Sequence, residues 1–142
     1  VEYNVRMGDP ECQTILPLLE TDLLELMLSC CEGNLEKQIL EWKDKKSMCI
    51  VLCSKGYPET YKKNVEIPNL ERITSDKNTF VYHAGTELID KKVYATGGRV
   101  LNFVCVSDDF NKSREIAIKE IENINWENGF YRKDIGFKVI DK

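Results

Sequence analysis

The sequence predicts an α+β fold with a mostly antiparallel sheet and flanking helices. Three observations carry this. Met48–Cys53 and Arg99–Val106 are near-continuous apolar runs with β-branched members, the pattern of buried strands. Leu23, Leu24, Met27, Leu28 and Cys31, and later Ala117, Ile121 and Ile124, recur at helical spacing. Leu88, Ile89, Val93 and Tyr94 flank Asp90-Lys91-Lys92, which reads as a hairpin and hence as antiparallel pairing.

A chain of 142 residues is expected to form one domain, or one and a fragment, and its 42% hydrophobic content can fill a core. The formal charge of −4 and pI near 5.2 argue against a nucleic-acid partner, which calls for basic patches. No run is long enough to span a membrane and no signal peptide opens the chain, so a cytoplasmic protein without a membrane partner is expected. The six cysteines include no CxxC pair, and there is a single histidine, His83, so neither a disulfide framework nor a zinc set is expected. Free thiols in a reducing compartment fit better.

Taken in order, Val1, Tyr3 and Val5 alternate with Glu2, Asn4 and Arg6, which predicts a strand, and Met7-Gly8-Asp9-Pro10 breaks it. Ile15, Leu16, Leu18 and Leu19 follow in a helical pattern limited by Pro17. Asp22 is the expected N-cap of the next helix, with Glu25 completing a capping box and Gly33 stopping it. Its apolar stripe is expected to be core packing. Residues 34–46 read as a charged connector ending in a short strand. Met48–Cys53 is a buried strand stopped by Ser54-Lys55-Gly56-Tyr57-Pro58, and Thr79–His83 is another. Gly97-Gly98 leads into the strand from Arg99, with Arg99 either aimed at an anion or simply exposed in a turn. Ser107 or Asp108 is expected to cap the last helix, with Lys119, Glu120 and Glu122 facing water. In the tail, Phe130, Tyr131 and Ile135 are expected to dock while Arg132 pairs with Asp134. His83 reads as structural, satisfied by a backbone hydrogen bond.

Side chains two apart on a strand share a face, roughly 6–7 Å apart. Glu2, Asn4 and Arg6 would therefore project together, and two oxygen donors beside a cation suit magnesium held against phosphate. The plainer reading is an edge strand with one solvated face. Asp9 and Glu11 then add two carboxylates beside the arginine.

The run Glu2-Tyr3-Asn4-Val5-Arg6-Met7-Gly8-Asp9-Pro10-Glu11-Cys12-Gln13 resembles the signature of the phosphoribosylamine–glycine ligase (glycinamide ribonucleotide synthetase) family, which belongs to the ATP-grasp superfamily and acts in purine biosynthesis. The family motif is Glu-x-Asn-x-Arg-(Phe)-Gly-Asp-Pro-Glu-x-Gln, with Met7 standing at the usual aromatic position. Three further segments resemble the family in its order: Gly56-Tyr57-Pro58; His83-Ala84-Gly85-Thr86 with Gly97-Gly98-Arg99-Val100-Leu101; and Tyr131-Arg132-Lys133-Asp134-Ile135-Gly136. Lys55 departs from the small residue usual there.

The resemblance implies a C-terminal portion of that enzyme, with residues 1–33 ending the ATP-grasp region and 34–142 forming a C-terminal α+β domain. The N-terminal domain and most of the ATP-binding lobes would be missing partners. It implies a nucleotide-binding ligase that joins glycine to phosphoribosylamine with ATP as co-substrate, through glycyl phosphate. Glu2 and Asn4 would hold Mg2+ or Mn2+, and Arg6 would act catalytically on the transferred phosphoryl or acyl phosphate. Asp9 and Glu11 would hold the ammonium of glycine or order the loop, and Arg99 would reach the phosphoribosyl phosphate. No nucleophilic side chain is needed, so Cys12 is incidental. Alone, the fragment should be inactive. The rival readings are an ATP-grasp ligase for another carboxylate, and a non-catalytic fragment or one half of a split enzyme.

Overall fold

The computed structural model describes residues 3–74 and 76–140. In chain order its elements are α1 (Glu11–Ile15), α2 (Leu23–Glu32), β1 (Lys46–Ser54), β2 (Val65–Glu66), β3 (Thr79–His83), β4 (Thr86–Ile89), β5 (Lys92–Ala95), β6 (Arg99–Ser107), α3 (Phe110–Ile124), β7 (Gly129–Phe130) and α4 (Phe137–Ile140), with short 3-10 turns between them. All strand pairs are antiparallel. One sheet runs β3-β6-β1-β7 and a smaller one runs β2-β5-β4. The expected α+β class is the one observed.

β1 and β6 are the two long central strands. Their register sets Ile50 opposite Phe103 and Leu52 opposite Leu101. Because side chains alternate across a strand, this places Ile50, Leu52, Leu101, Phe103 and Cys105 on one face. That face packs under Ala117, Ile121 and Ile124 of α3, and all eight are buried. Cys49, Val51 and Cys53 point the other way, toward Pro10 and the segment around α1. The hairpin turns at Asp90-Lys91, both with left-handed backbone (φ 48° and 65°), and its strands are β4 and β5.

Several expectations need correcting. Residues 3–7 form no strand: Tyr3 is 90% and Val5 99% exposed, and no strand of either sheet lies alongside to satisfy the backbone. Val1 and Glu2 lie outside the described residues. The short strand expected to end the connector reduces to a single bridge between Leu19 and Trp42.

α2 begins and ends as expected. Asp22 accepts from the N–H groups of Leu24 and Glu25, and Gly33 closes the helix at φ 70°. No reciprocal bond from the Glu25 side chain appears among the described residues. The stripe expected in the core is instead exposed: Leu24 is 64%, Met27 55% and Leu28 53% accessible, while Leu26 and Ser29 are buried. The reason is where α2 rests. It leans on the segment after it, through Asn34 N–H to Ser29 O and Gln38 Nε2 to Ser29 Oγ (2.7 Å), and not on the sheet.

The N-cap of α3 is Asp109, accepting from Lys112 N–H at 2.7 Å, rather than Ser107 or Asp108. Ser107 Oγ instead donates to Asp109 O and bonds Ser113 Oγ, and Asp108 is taken by Lys45 in an ion pair. Glu120 is buried, not solvated, because its carboxylate accepts the backbone N–H of Thr74 at 2.7 Å. His83 Nδ1 bonds the hydroxyl of Thr86 at 2.9 Å in place of a backbone group. The tail behaves as expected: Tyr131 and Ile135 pack against the core, Phe130 pairs with Cys53 in the sheet, and Arg132 holds Asp134 at 2.6 and 3.0 Å.

Truncating the core and truncating the α2 stripe should therefore differ sharply. Phe103→Ala is expected to cost about 3–5 kcal/mol in urea unfolding, as for other buried aromatics. Leu24→Ala should stay within about 0.5 kcal/mol, as at exposed positions. Equal losses would contradict the burial described.

Candidate functional site

The motif turn lies against the sheet on the face that α3 does not cover. Cys12 N–H bonds Gly8 O at 2.9 Å, starting α1, and the Glu11 carboxylate curls back over Gly8 (a Cβ there would sit 2.2 Å from Oε2). Asp9 is the fixed point of the turn. Its Oδ2 meets Arg99 Nη2 at 2.9 Å, its backbone oxygen accepts from Arg99 Nη1 at 3.4 Å, and its Oδ1 accepts from Gln13 Nε2 at 3.0 Å. Arg99 opens β6 opposite Cys53, so one ion pair ties the motif to the end of the central strands across 90 residues of sequence.

The structure thus brings Asp9 and Arg99 together, with each other as partner. Glu11 is nearby, exposed and in no ion pair among the described residues. Arg6 is exposed and donates only to the neighbouring Met7 O at 3.2 Å. Asn4 is exposed, and its side chain makes no hydrogen bond to the described residues. Glu2 lies outside them. Among the described residues no three His, Cys, Asp or Glu side chains come together to hold a metal ion. Gln13 was not singled out from the sequence. Its signal is the i, i+4 spacing from Asp9 at a helix start, which brings two side chains onto one face.

Beside this pair is an apolar cavity of about 370 Å³, lined by Pro10, Cys49, Val51, Cys53, Tyr57, Pro58, Phe130, Arg132 and Ile135. It gathers residues from the opening motif, the Gly-Tyr-Pro turn and the tail. Gly98 lies behind the Tyr57 ring that lines it. A Cβ at Gly98 would lie 2.1 Å from the Tyr57 ring, so only glycine lets that ring lie flat there. Ser54 locks the same corner by donating its N–H to Gly98 O and its hydroxyl to Gly97 O, both at 2.8 Å. Gly97 in turn abuts Gly85, whose Cβ would sit 2.6 Å from Gly97 Cα. The two halves of the third segment are thereby fixed to each other. A larger cavity of about 420 Å³ lies under the C-terminal end of α3 around Trp126 and Tyr131, away from the motif.

Burial disfavours the thiolate form of Cys49 and Cys53 on this face. Burial pushes Cys49 up to about 12, with the Asp9 charge adding to it, and burial also raises Cys53. Cys105 on the opposite face is likewise pushed up to about 12, chiefly by burial. A raised thiol pKa means less thiolate at any working pH. What the cleft offers is an apolar floor with arginines and carboxylates at its edge, which suits holding an anionic, partly apolar group.

The model of the phosphoribosylglycinamide synthetase C domain matches residues 47–138. The chain is similar to the phosphoribosylamine–glycine ligase of Caldanaerobacter subterraneus, with 51% identity over 135 residues, 95% of this chain and 32% of that protein. The ligase of Agrobacterium fabrum is 42% identical over 140 residues, 99% of this chain and 33% of that one. The chloroplastic ligase of Arabidopsis thaliana is 42% identical over 142 residues, covering 99% and 27%. Among solved structures, the phosphoribosylamine–glycine ligase of Thermotoga maritima superposes with a TM-score of 0.76 at 29% identity, covering 94% of this chain and 32% of that one. The chain therefore spans about a third of the length of the curated relatives it matches. No helix among the described residues is long and apolar enough to cross a membrane.

Iodoacetamide at pH 8 should label the exposed Cys30 and Cys31 in the folded protein and leave Cys49, Cys53 and Cys105 untouched until urea unfolds it. Fast labelling of Cys49 by peptide mass mapping would contradict a closed thiol face.

Proposed function

The chain belongs to the phosphoribosylglycinamide synthetase family, and we propose that it is the C-terminal third of an ATP-dependent, ATP-grasp carboxylate–amine ligase. That ligase joins glycine to 5-phosphoribosylamine, giving glycinamide ribonucleotide, ADP and phosphate. Residues 1–33 end its ATP-grasp region and residues 34–142 form its C-terminal domain, in a cytoplasmic enzyme. The observation that carries this reading is that three of the four family-like segments line one cleft, while the remaining one meets its edge through the Gly98–Tyr57 contact and the Asp9–Arg99 pair.

A carboxylate is a poor acyl donor because its oxygen does not leave. Transfer of the ATP γ-phosphoryl to glycine makes glycyl phosphate, whose phosphate does leave when the phosphoribosylamine nitrogen attacks. Such transfer needs positioning and charge neutralisation more than covalent help. Arg6, with no carboxylate partner among the described residues, is available to the transferred phosphoryl or acyl phosphate. Glu11, likewise unpaired, is available to the ammonium of glycine. Asp9 instead orders the loop and orients Arg99, whose guanidinium is half exposed and keeps donors for the phosphoribosyl phosphate.

Glu2 and Asn4 would hold Mg2+ or Mn2+. A carboxylate oxygen and an unengaged amide oxygen are hard donors, and phosphate and water complete such a shell. When bound, the metal neutralises phosphate charge.

The test is a chimera in which this chain replaces the matching third of the Caldanaerobacter ligase. ADP release that depends on both glycine and phosphoribosylamine is expected. A folded chimera that releases ADP only with another carboxylate, or not at all, overturns the reading in favour of another ATP-grasp ligase or a non-catalytic module. In that chimera Glu2→Gln or Asn4→Ala should lower kcat at least tenfold, with partial rescue by raised Mg2+ or Mn2+. Unchanged activity in both removes the metal assignment. Arg99→Ala should raise the KM for phosphoribosylamine more than that for ATP, and equal changes would take Arg99 out of the substrate site.

A further inference from the structure

On the α3 side of the sheet two cavities share the wall made by Trp126 and Glu127. The one of about 420 Å³ adds Glu122, Asn125, Tyr131 and Lys133. The other, of about 300 Å³, adds Ser54, Lys55, Lys62 and Asn128. Leu52 and Ser54, one in each cavity, are two apart on β1 and so share the face that packs under α3. The backbone builds this place firmly. Asn125 ends α3 in left-handed conformation at φ 48°, and Gly129 N–H then donates to Trp126 O at 3.0 Å. Lys55 N–H donates to Asn128 O at 2.7 Å, and β7 pairs with the end of β1. The indole rests on Gly129, where a Cβ would lie 2.5 Å from Trp126 Cε3. Tyr131 Oη donates to Glu122 Oε1 at 3.1 Å, which holds the second ring.

What the fold leaves unused there points to a ligand. Trp126 Nε1 is buried and donates to nothing among the described residues, although buried donors are normally paired. Lys55, Lys62 and Lys133 are in no ion pair among the described residues. In the smaller cavity two lysines face one carboxylate, Glu127, so it is cationic in a chain of formal charge −4. In the larger one the exposed Asn125 offers an amide edge of the kind that pairs with adenine, beside indole and phenol rings on which a base can stack.

We infer that the two cavities form one site for an adenine nucleotide, with the base against Trp126 and Asn125 and the phosphate between Lys55 and Lys62. Glu127, on the wall common to both, falls where the ribose hydroxyls need an acceptor. Lys55 stands where the resembled family usually has a small residue, so the phosphate end belongs to this chain in particular. The inference does not depend on the ligase reading.

The test adds AMP to this chain carrying Trp42→Phe, which leaves Trp126 as its single tryptophan. AMP should quench Trp126 fluorescence saturably, with a Kd of about 1 mM or below, and should shift the indole N–H resonance. Adenosine and inorganic phosphate should each bind at least tenfold more weakly than AMP. Lys55→Ala/Lys62→Ala should weaken AMP binding at least tenfold while leaving the Tm within about 2 °C, since both side chains are exposed. Arg99→Ala, at the cleft on the other face, should change AMP affinity less than twofold. Absence of saturable quenching overturns the proposal. So does AMP affinity that the lysine substitutions leave unchanged, or phosphate that binds as tightly as AMP. An equal loss in Arg99→Ala would place the nucleotide in the cleft and overturn it as well.

Discussion

The antiparallel ladder of β1 and β6 is the constraint on which the rest depends. Once Ile50 is opposite Phe103, alternation assigns every neighbour to a face. One face goes to α3 and becomes the dry core. The other presents Cys49, Val51 and Cys53 to the motif turn, the Tyr57-Pro58 corner and the tail. A slip of β1 by one residue would send Ile50 and Leu52 into the cleft and Cys49 and Cys53 into the core. The same hydrophobic pattern that stabilises the module thus fixes the floor of its site.

On that floor the Asp9–Arg99 pair acts by position more than by energy. Both side chains are about half exposed, and such pairs contribute about 0–1 kcal/mol. Its importance lies in where it sits, joining a five-residue helix and its turn to the start of a central strand. Gly98 beneath Tyr57, and Gly85 against Gly97, bring the remaining segments within reach because no Cβ holds them apart. A chain with so little regular structure in its first twenty residues depends on such contacts to hold a site.

Much of this was legible in the residues. Met48–Cys53 and Arg99–Val106 are β-branched and apolar, so local pattern and tertiary burial agree. The Asp22 cap, the Gly33 stop and the Arg132–Asp134 pair were legible because each is set within a few residues of chain. The misreadings share one cause, which is that pattern does not name a partner. The alternation of Val1 to Arg6 is strand-like, but among the described residues Tyr3 to Arg6 have no neighbouring strand, and the α2 stripe is helix-like but has no covering surface there. Glu120 looked solvated by its charge, although a backbone N–H 46 residues away claims it. Similarly, Asp9 and Arg99 were each legible as chemistry, whereas their pairing depends on a register that only the folded sheet supplies.

The motif turn is docked on the open face of the β1–β6 ladder within one folded unit. Amide hydrogen exchange at Cys12 and Leu16 of the isolated chain tests it most directly. These N–H groups bond Gly8 O and Cys12 O, in a helix far too short to persist unsupported. Both amides are expected to exchange at least tenfold more slowly than in a random coil. Asp9→Ala is expected to speed them while leaving β1 and β6 protected. Random-coil exchange throughout residues 3–16, with the two central strands still protected, would show that the motif is not held at the cleft and would contradict the account.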